Sequence, residues 1–205
     1  MILKKLPVGL FETNCFLVFM PEKKLLLIID PGSDAEKIVA EAEKFDFEEA
    51  RILLTHAHID HISGCGAVAK ALNIKHVELA PEDNFMYLSE SNCLEPYFPP
   101  AKDLPPVKNF SPVPDCKILS LPGHTPGGSG FLFDDGKDSF LIAGDTIFCG
   151  SVGRTDLPGG DYGQLLESIQ KNILTLPDDL TVYPGHGGET TVIFEKKNNP
   201  YLIQE

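Results

Sequence analysis

Five of the chain's six histidines lie in three short segments, Thr55-His-Ala-His-Ile-Asp-His61, Pro122-Gly-His-Thr125 and Tyr183-Pro-Gly-His-Gly187. The first offers three imidazoles and a carboxylate, at His56, His58, Asp60 and His61, directly after the apolar run Ile52-Leu-Leu54. Neutral imidazole and ionised carboxylate suit Zn²⁺, Fe or Mn, and a catalytic site keeps one position open for water. Burying four such polar groups at a strand end without an ion would leave hydrogen-bonding capacity unmet. Together the segments carry more ligands than one tetrahedral ion needs, so two ions are expected. His56 and His58 are two residues apart, which points both side chains to one side of an extended segment. The turn through Asp60 and His61 can then aim the next pair at a second ion. His124 and His186 each follow Pro-Gly, which combines a fixed φ with a tight bend. Asp145, in Ala143-Gly-Asp-Thr146, is a candidate bridging carboxylate, because each of its oxygens can bind one ion. Two ions roughly 3.5–4 Å apart can share a water and lower its pKa from near 16 toward about 7, giving a nucleophile for an acyl carbon. His76, in Lys75-His-Val-Glu78, reads as a solvent-facing strand residue without a role.

The elements that must position these groups follow from the apolar pattern. Thr13–Phe19 and Lys24–Ile29 read as strands around a Pro21-Glu-Lys23 turn, ended by Asp30-Pro-Gly32. Ser33 and Glu36 have the spacing of a capping box, and Ala35, Ile38, Val39, Ala42 and Phe45 recur at helical spacing. Arg51–Leu54 is a buried strand leading into the first histidine segment, followed by a helix over Gly64–Leu72 and a short strand over Lys75–Leu79. Residues 81–114 are irregular and rich in proline and aromatics. Loops of such length are either surface excursions or substrate-facing lids. Strands resume at Lys117–Leu121, Gly130–Phe133 and Ser139–Ile142. Asp161 and Gln164 cap a helix over Tyr162–Leu176, the strand Thr181–Tyr183 delivers His186, and a last short helix stops near Asn199-Pro200. Strands at both ends with helices between and after them suggest one α/β domain over residues 1–205, with two sheets face to face and helices outside.

Composition narrows the partners. A net charge of −13 argues against nucleic acid, whose phosphates are gripped by Lys and Arg. No apolar stretch approaches the roughly 20 residues of a membrane helix, and Met1-Ile-Leu-Lys-Lys-Leu-Pro7 lacks the features of a secretory signal, so cytoplasmic residence is expected. Cys15, Cys65, Cys93, Cys116 and Cys149 are odd in number and widely spaced, which reads as buried free thiols rather than a disulfide framework.

The ordered set Asp30-Pro-Gly32, His56-x-His58-x-Asp60-His61, His124, Asp145 and His186 resembles the metallo-β-lactamase superfamily over nearly the whole chain. Within it, Gly144-Asp-Thr-Ile-Phe148, Gly150-Ser-Val-Gly-Arg-Thr-Asp156 and Tyr183-Pro-Gly-His-Gly-Gly-Glu-Thr-Thr191 look like the glyoxalase II-like hydrolases. The resemblance implies a four-layer αββα sandwich with the metal site at one edge of its two sheets. It implies that His56, His58 and His124 hold one ion, that Asp60, His61 and His186 hold another, and that Asp145 bridges them. Asp60 would also help orient the hydroxide. Asp30 would support the ligands from behind, or, on the turn alone, simply precede Pro31-Gly32. The implied activity is thioester hydrolysis of the hydroxyacylglutathione hydrolase type, with two divalent ions, Zn first and Fe or Mn as alternatives, and a small-molecule thioester as partner. An aspartate at 145, where the true β-lactamases commonly carry a cysteine ligand, argues against antibiotic hydrolysis. Two features depart from glyoxalase II: no glutathione-gripping helical domain follows His186, and its Lys and Tyr correspond to Arg154 and Asp156. Arg154 keeps a cation for an anionic acyl or thiol portion. The rival reading is a mononuclear-iron persulfide dioxygenase using His56, His124 and Asp145, whose sequences share the Gly153-Arg-Thr-Asp156 stretch. The Leu157-Pro-Gly-Gly160 that follows looks closer to the hydrolases.

Overall fold

A strand that is apolar at nearly every position is stable only when covered on both faces, and two such runs organise the first part of the chain. The computed structural model describes residues 1–203, which fall into two units, Met1–Ser111 and a second beginning at Pro112, each built on its own sheet. In the first unit the sheet order is β1 (Ile2–Val8), β2 (Thr13–Met20), β3 (Leu25–Ile29), β4 (Glu49–Leu53), β5 (Val77–Glu78) and β6 (Val107–Lys108). Every residue of β2 and β3 is buried. β1 to β3 pair antiparallel, and β3 to β6 pair parallel. Parallel pairing requires crossover connections. These carry α1 (Ala35–Ala42), then α2 (Ile59–Ile62) and α3 (Cys65–Ala71), and lastly α4 (Asn84–Tyr87). Ile38, Ile62 and Val68 from these helices pack with Leu17, Leu26, Ile28 and Ile52 of the sheet in one core.

In the second unit the order is β13 (Thr190–Thr191), β12 (Thr181–Pro184), β9 (Ser139–Gly144), β8 (Ser129–Asp134) and β7 (Cys116–Ser120). A separate hairpin, β10 (Ile147–Phe148) with β11 (Ser151–Val152), follows β9. α5 (Tyr162–Ser168) continues through a wider turn to Ile173, and α6 (Val192–Asn198) closes the unit. Leu165, Ile169 and Ile173 bury one face against Leu121, Leu141 and Val182.

Several details differ from the sequence reading. The Ser33 capping box does not form: Asp34 occupies the N-cap of α1 in a left-handed conformation, and its carboxylate accepts from Gly9 N at 3.0 Å instead. The helix expected over Gly64–Leu72 forms as α3, but a separate helical turn, α2, precedes it and holds Asp60 and His61. α2 and α3 are separate because Gly64 N–H is engaged by Pro31 O at 2.9 Å, which breaks the helical ladder there. Residues 81–114 are not only a surface excursion, since they contribute α4 and edge strand β6 and bury Met86, Tyr87 and Phe98 in the first core. Of the free cysteines only Cys15 and Cys65 are buried, and burial beside Asp30 pushes both thiols up. His76 is half-buried, just before β5. Among the described residues no helix is long and apolar enough to cross a membrane.

The cap of α5 forms as read: Asp161 Oδ1 accepts from Gln164 N at 2.9 Å. Asp161→Ala should therefore lower stability by about 1 kcal/mol, which a denaturant titration would register as a lower midpoint at unchanged slope.

Candidate metal centre

Both sheets use the same device to gather ligands. In the first unit, β3 and β4 run parallel with Ile29 opposite Leu53, so Asp30 and the segment Thr55–His61 leave neighbouring strands at their C-terminal ends. In the second, β9 and β12 run parallel, and β7 runs in the same direction because β8 is antiparallel to both β7 and β9. The loops carrying His124, Asp145 and His186 therefore leave one edge of that sheet. Gly185 N–H donates to Gly144 O at 2.8 Å and ties two of those loops together.

In the first unit His56, Asp60 and His61 are buried and His58 is half-buried. The His56 ring packs 4.8 Å from His58 and 4.1 Å from His61. Asp30, His56 and His61 each offer one ligand atom, all within 4.8 Å of one another. The backbone of Asp30 is left-handed, with φ +52°, and its carboxylate is fully buried. That carboxylate accepts from Thr55 N at 2.7 Å, Thr55 Oγ1 at 2.6 Å and His61 Nδ1 at 3.0 Å. A carboxylate that only accepts fixes the proton of His61 on Nδ1 and leaves the Nε2 lone pair for a metal. The Thr55 hydroxyl proton goes to Asp30, so Thr55 Oγ1 must accept from His56 Nδ1, 3.0 Å away. Nε2 of His56 is thereby basic as well. Asp30 thus supports two imidazoles, one directly and one through Thr55. Its turn brings the chain close: a Cβ on Gly32 would lie 1.7 Å from Asp60 O, so only glycine permits that approach.

Several contributors carried no sequence signal. Thr13 Oγ1 donates to Asp60 Oδ2 at 3.2 Å. Ala57, between His56 and His58, is held from both sides by the proline-rich segment: its N–H donates to Asp83 Oδ2 at 3.3 Å, and its carbonyl accepts from Asn92 Nδ2 at 2.7 Å. These partners lie far apart in sequence, and an Asp or Asn inside an irregular stretch is indistinguishable from a solvated turn residue.

In the second unit His124 Nε2 and His186 Nε2 each lie 3.6 Å from Asp145 Oδ2. His124 Nδ1 is 2.7 Å from Arg154 O. A carbonyl can only accept, so here too the proton sits on Nδ1 and Nε2 carries the lone pair. The Phe148 ring lies 6.3 Å from that of His186. Arg154 contributes its backbone to this group, while its exposed guanidinium forms a two-pronged pair with Asp156, both bonds 2.7 Å. That pairing holds the Asp156 carboxyl down at about 2.

Imidazoles locked in the Nε2-accepting tautomer beside carboxylates are the donor set of a Zn, Fe or Mn site, and the residues present fit such ions. The family model described as the Metallo-beta-lactamase superfamily matches residues 8–186. The chain belongs to the metallo-beta-lactamase superfamily. It is 35% identical to Hydroxyacylglutathione hydrolase GloC of Haemophilus influenzae, over 96% of each chain. Among solved structures, TTHA1623 in a di-iron-bound form matches with a TM-score of 0.86 and 35% identity, over 97% of this chain and 100% of that one. The BLEG-1 B3 metallo-beta-lactamase matches with a TM-score of 0.82 and 31% identity, over 99% and 100%. The fold is the metallo-β-lactamase fold, as its sequence motifs implied, and the chain belongs to a superfamily of metallo-hydrolases.

Proposed function

We propose that the chain is a dinuclear metal-dependent thioester hydrolase of the hydroxyacylglutathione hydrolase type. The observation that carries a metal-dependent reading is the fixed tautomer of His56, His61 and His124, in which Nδ1 bears the proton and Nε2 the lone pair that an ion would take. Likeness over the full length to a protein named for hydroxyacylglutathione hydrolysis supports the thioester. In this reading His56, His58 and His124 hold one ion, Asp60, His61 and His186 hold the other, and Asp145 serves both. Bound ions supply Lewis acidity, polarising the thioester carbonyl and making water a nucleophile near neutral pH. Asp30 and the carbonyl of Arg154 keep the imidazoles oriented, and the Thr13 hydroxyl restrains one oxygen of Asp60. A thiolate leaves readily, so none of these side chains must act as a strong general acid. The di-iron form of a similar protein supports iron as readily as zinc.

The Arg154 fork is proposed to bind an anionic part of the substrate, which must compete with Asp156 for it. Arg154→Ala should then raise KM several-fold for an acidic thioester and leave kcat nearly unchanged, while a neutral thioester of the same acyl group shows no change in KM.

Elemental analysis of protein purified without added metal, followed by assays on thioesters, β-lactams and glutathione persulfide, tests the whole reading. Two ions per chain with thioester turnover is the expected result. One iron per chain with oxygen uptake on the persulfide would replace it with the dioxygenase reading, and preferential β-lactam turnover would place the chain with the antibiotic hydrolases.

A further inference from the structure

One side chain outside the candidate ligand set touches both the hairpin that follows Asp145 and the strand that ends the His186 loop. Glu195, on α6, is fully buried. A carboxylate removed from water must be met by donors. Those donors come from two distinct segments: Gly150 N–H, shared between the carboxylate oxygens at 3.1 and 3.2 Å, and Thr190 Oγ1 at 2.5 Å. Asn199, four residues further along and also fully buried, donates to Glu195 Oε2 at 2.6 Å and to Ser151 O at 3.0 Å. Together Glu195 and Asn199 grip the tip of the β10–β11 hairpin at Gly150 N–H and Ser151 C=O.

That hairpin is bounded by the proposed ligands and their supports. Asp145 stands two residues before β10, and Arg154 stands two residues after β11. Gly153 N–H closes the base of the hairpin on Thr146 O at 3.3 Å. A Cβ on Gly153 would lie 1.9 Å from Asp145 O and 3.2 Å from His124 Nδ1, so the returning strand presses against both. Arg154 O then sets the His124 tautomer. Phe148, on β10, faces the His186 ring. The second donor, Thr190, lies in β13, at the end of the loop that begins with His186. One buried carboxylate thus joins the hairpin between Asp145 and Arg154 to the far end of the His186 loop.

We infer that Glu195, assisted by Asn199, is a positioning residue for the metal ligands of the second unit, setting how tightly Asp145, His124 and His186 hold an ion. The inference rests on the reading of those residues as metal ligands. Supporting residues behind a ligand are typically worth about 10–100-fold in metal affinity, and Glu195 acts one step further back, so about tenfold is expected.

Full-length protein, stripped and titrated with zinc against a chelating dye, provides the test. Glu195→Gln should bind zinc about tenfold more weakly, and Thr190→Val, which removes only the hydroxyl donor, should weaken binding several-fold. In NMR of the zinc-loaded protein the His124 Nδ1–H signal, protected by its bond to Arg154 O, should broaden or exchange faster in both variants. Thr191→Ala is the control. It removes the N-cap of α6, where Thr191 Oγ1 accepts from Phe194 N at 3.3 Å, and should lower stability without changing zinc affinity or that signal. If Glu195→Gln fails to fold, Thr190→Val carries the same test. Wild-type zinc affinity and an unchanged His124 signal in the folded variants would overturn the inference and leave the proposed function standing. Zinc-binding wild-type protein inactive on every thioester would overturn the function alone, and wild-type protein that binds no divalent ion would overturn both.

Discussion

On the proposed function, Asp145→Ala protein should hydrolyse a hydroxyacylglutathione thioester on the order of a thousandfold more slowly than wild type and should retain less metal. Asp145 Oδ2 lies 3.6 Å from Nε2 of both His124 and His186, which makes it the carboxylate around which that ligand group is arranged. In the proposed ligand set, alanine there removes one negative charge from a site that would otherwise hold its ions mainly through neutral imidazoles. Loss of metal-assisted charge stabilisation worth several kcal/mol corresponds to about three decades in rate. The Asp145 side chain is 12% exposed, so its loss also alters a largely buried group, and folding of the variant must be compared in the stripped state. Thermal unfolding of stripped protein, beside metal analysis and steady-state rates, separates a chemical loss from a folding loss. Near-wild-type turnover would remove Asp145 from the metal site.

Asp30→Asn should weaken metal binding by roughly 10–100-fold with little loss of fold. Asparagine accepts the left-handed backbone at this position, where φ is +52°. The amide, however, offers one acceptor where the carboxylate met Thr55 N, Thr55 Oγ1 and His61 Nδ1. Its NH₂ group must face at least one of those donors. The simplest escape is for His61 to move its proton to Nε2, which removes the lone pair an ion needs. Zinc titration against a chelating dye would show the loss, and excess metal should recover part of the activity. Unchanged affinity would reduce Asp30 to a turn residue before Pro31-Gly32.

The candidate ligand types were legible because they are clustered and chemically unusual. His56, His58, Asp60 and His61 fall within one short segment, and few arrangements other than a metal site tolerate so many buried polar groups together. Strands β2 and β3 were legible too, since their apolar runs leave no polar face to expose. The capping box at Ser33 is displaced for a reason that local pattern cannot contain: Asp34, whose carboxylate is held by Gly9 from 25 residues earlier, takes the N-cap position instead. The segment at 81–114 looked like a loop because its prolines and aromatics follow neither a helical nor a strand period. Its contribution to the site runs through single contacts from Asp83 and Asn92 to the backbone of Ala57.

The sequence by itself determined which groups could bind ions and which runs had to be buried strands, since both depend on residue type and spacing along the chain. Only the tertiary structure decided which nitrogen of each imidazole bears the proton, because that is set by distant acceptors, Asp30 for His61 and Arg154 O for His124. It likewise decided that Glu195 answers Gly150 and Thr190, since a hydrogen bond is specified by where two atoms meet in space and leaves no period or motif in the order of residues.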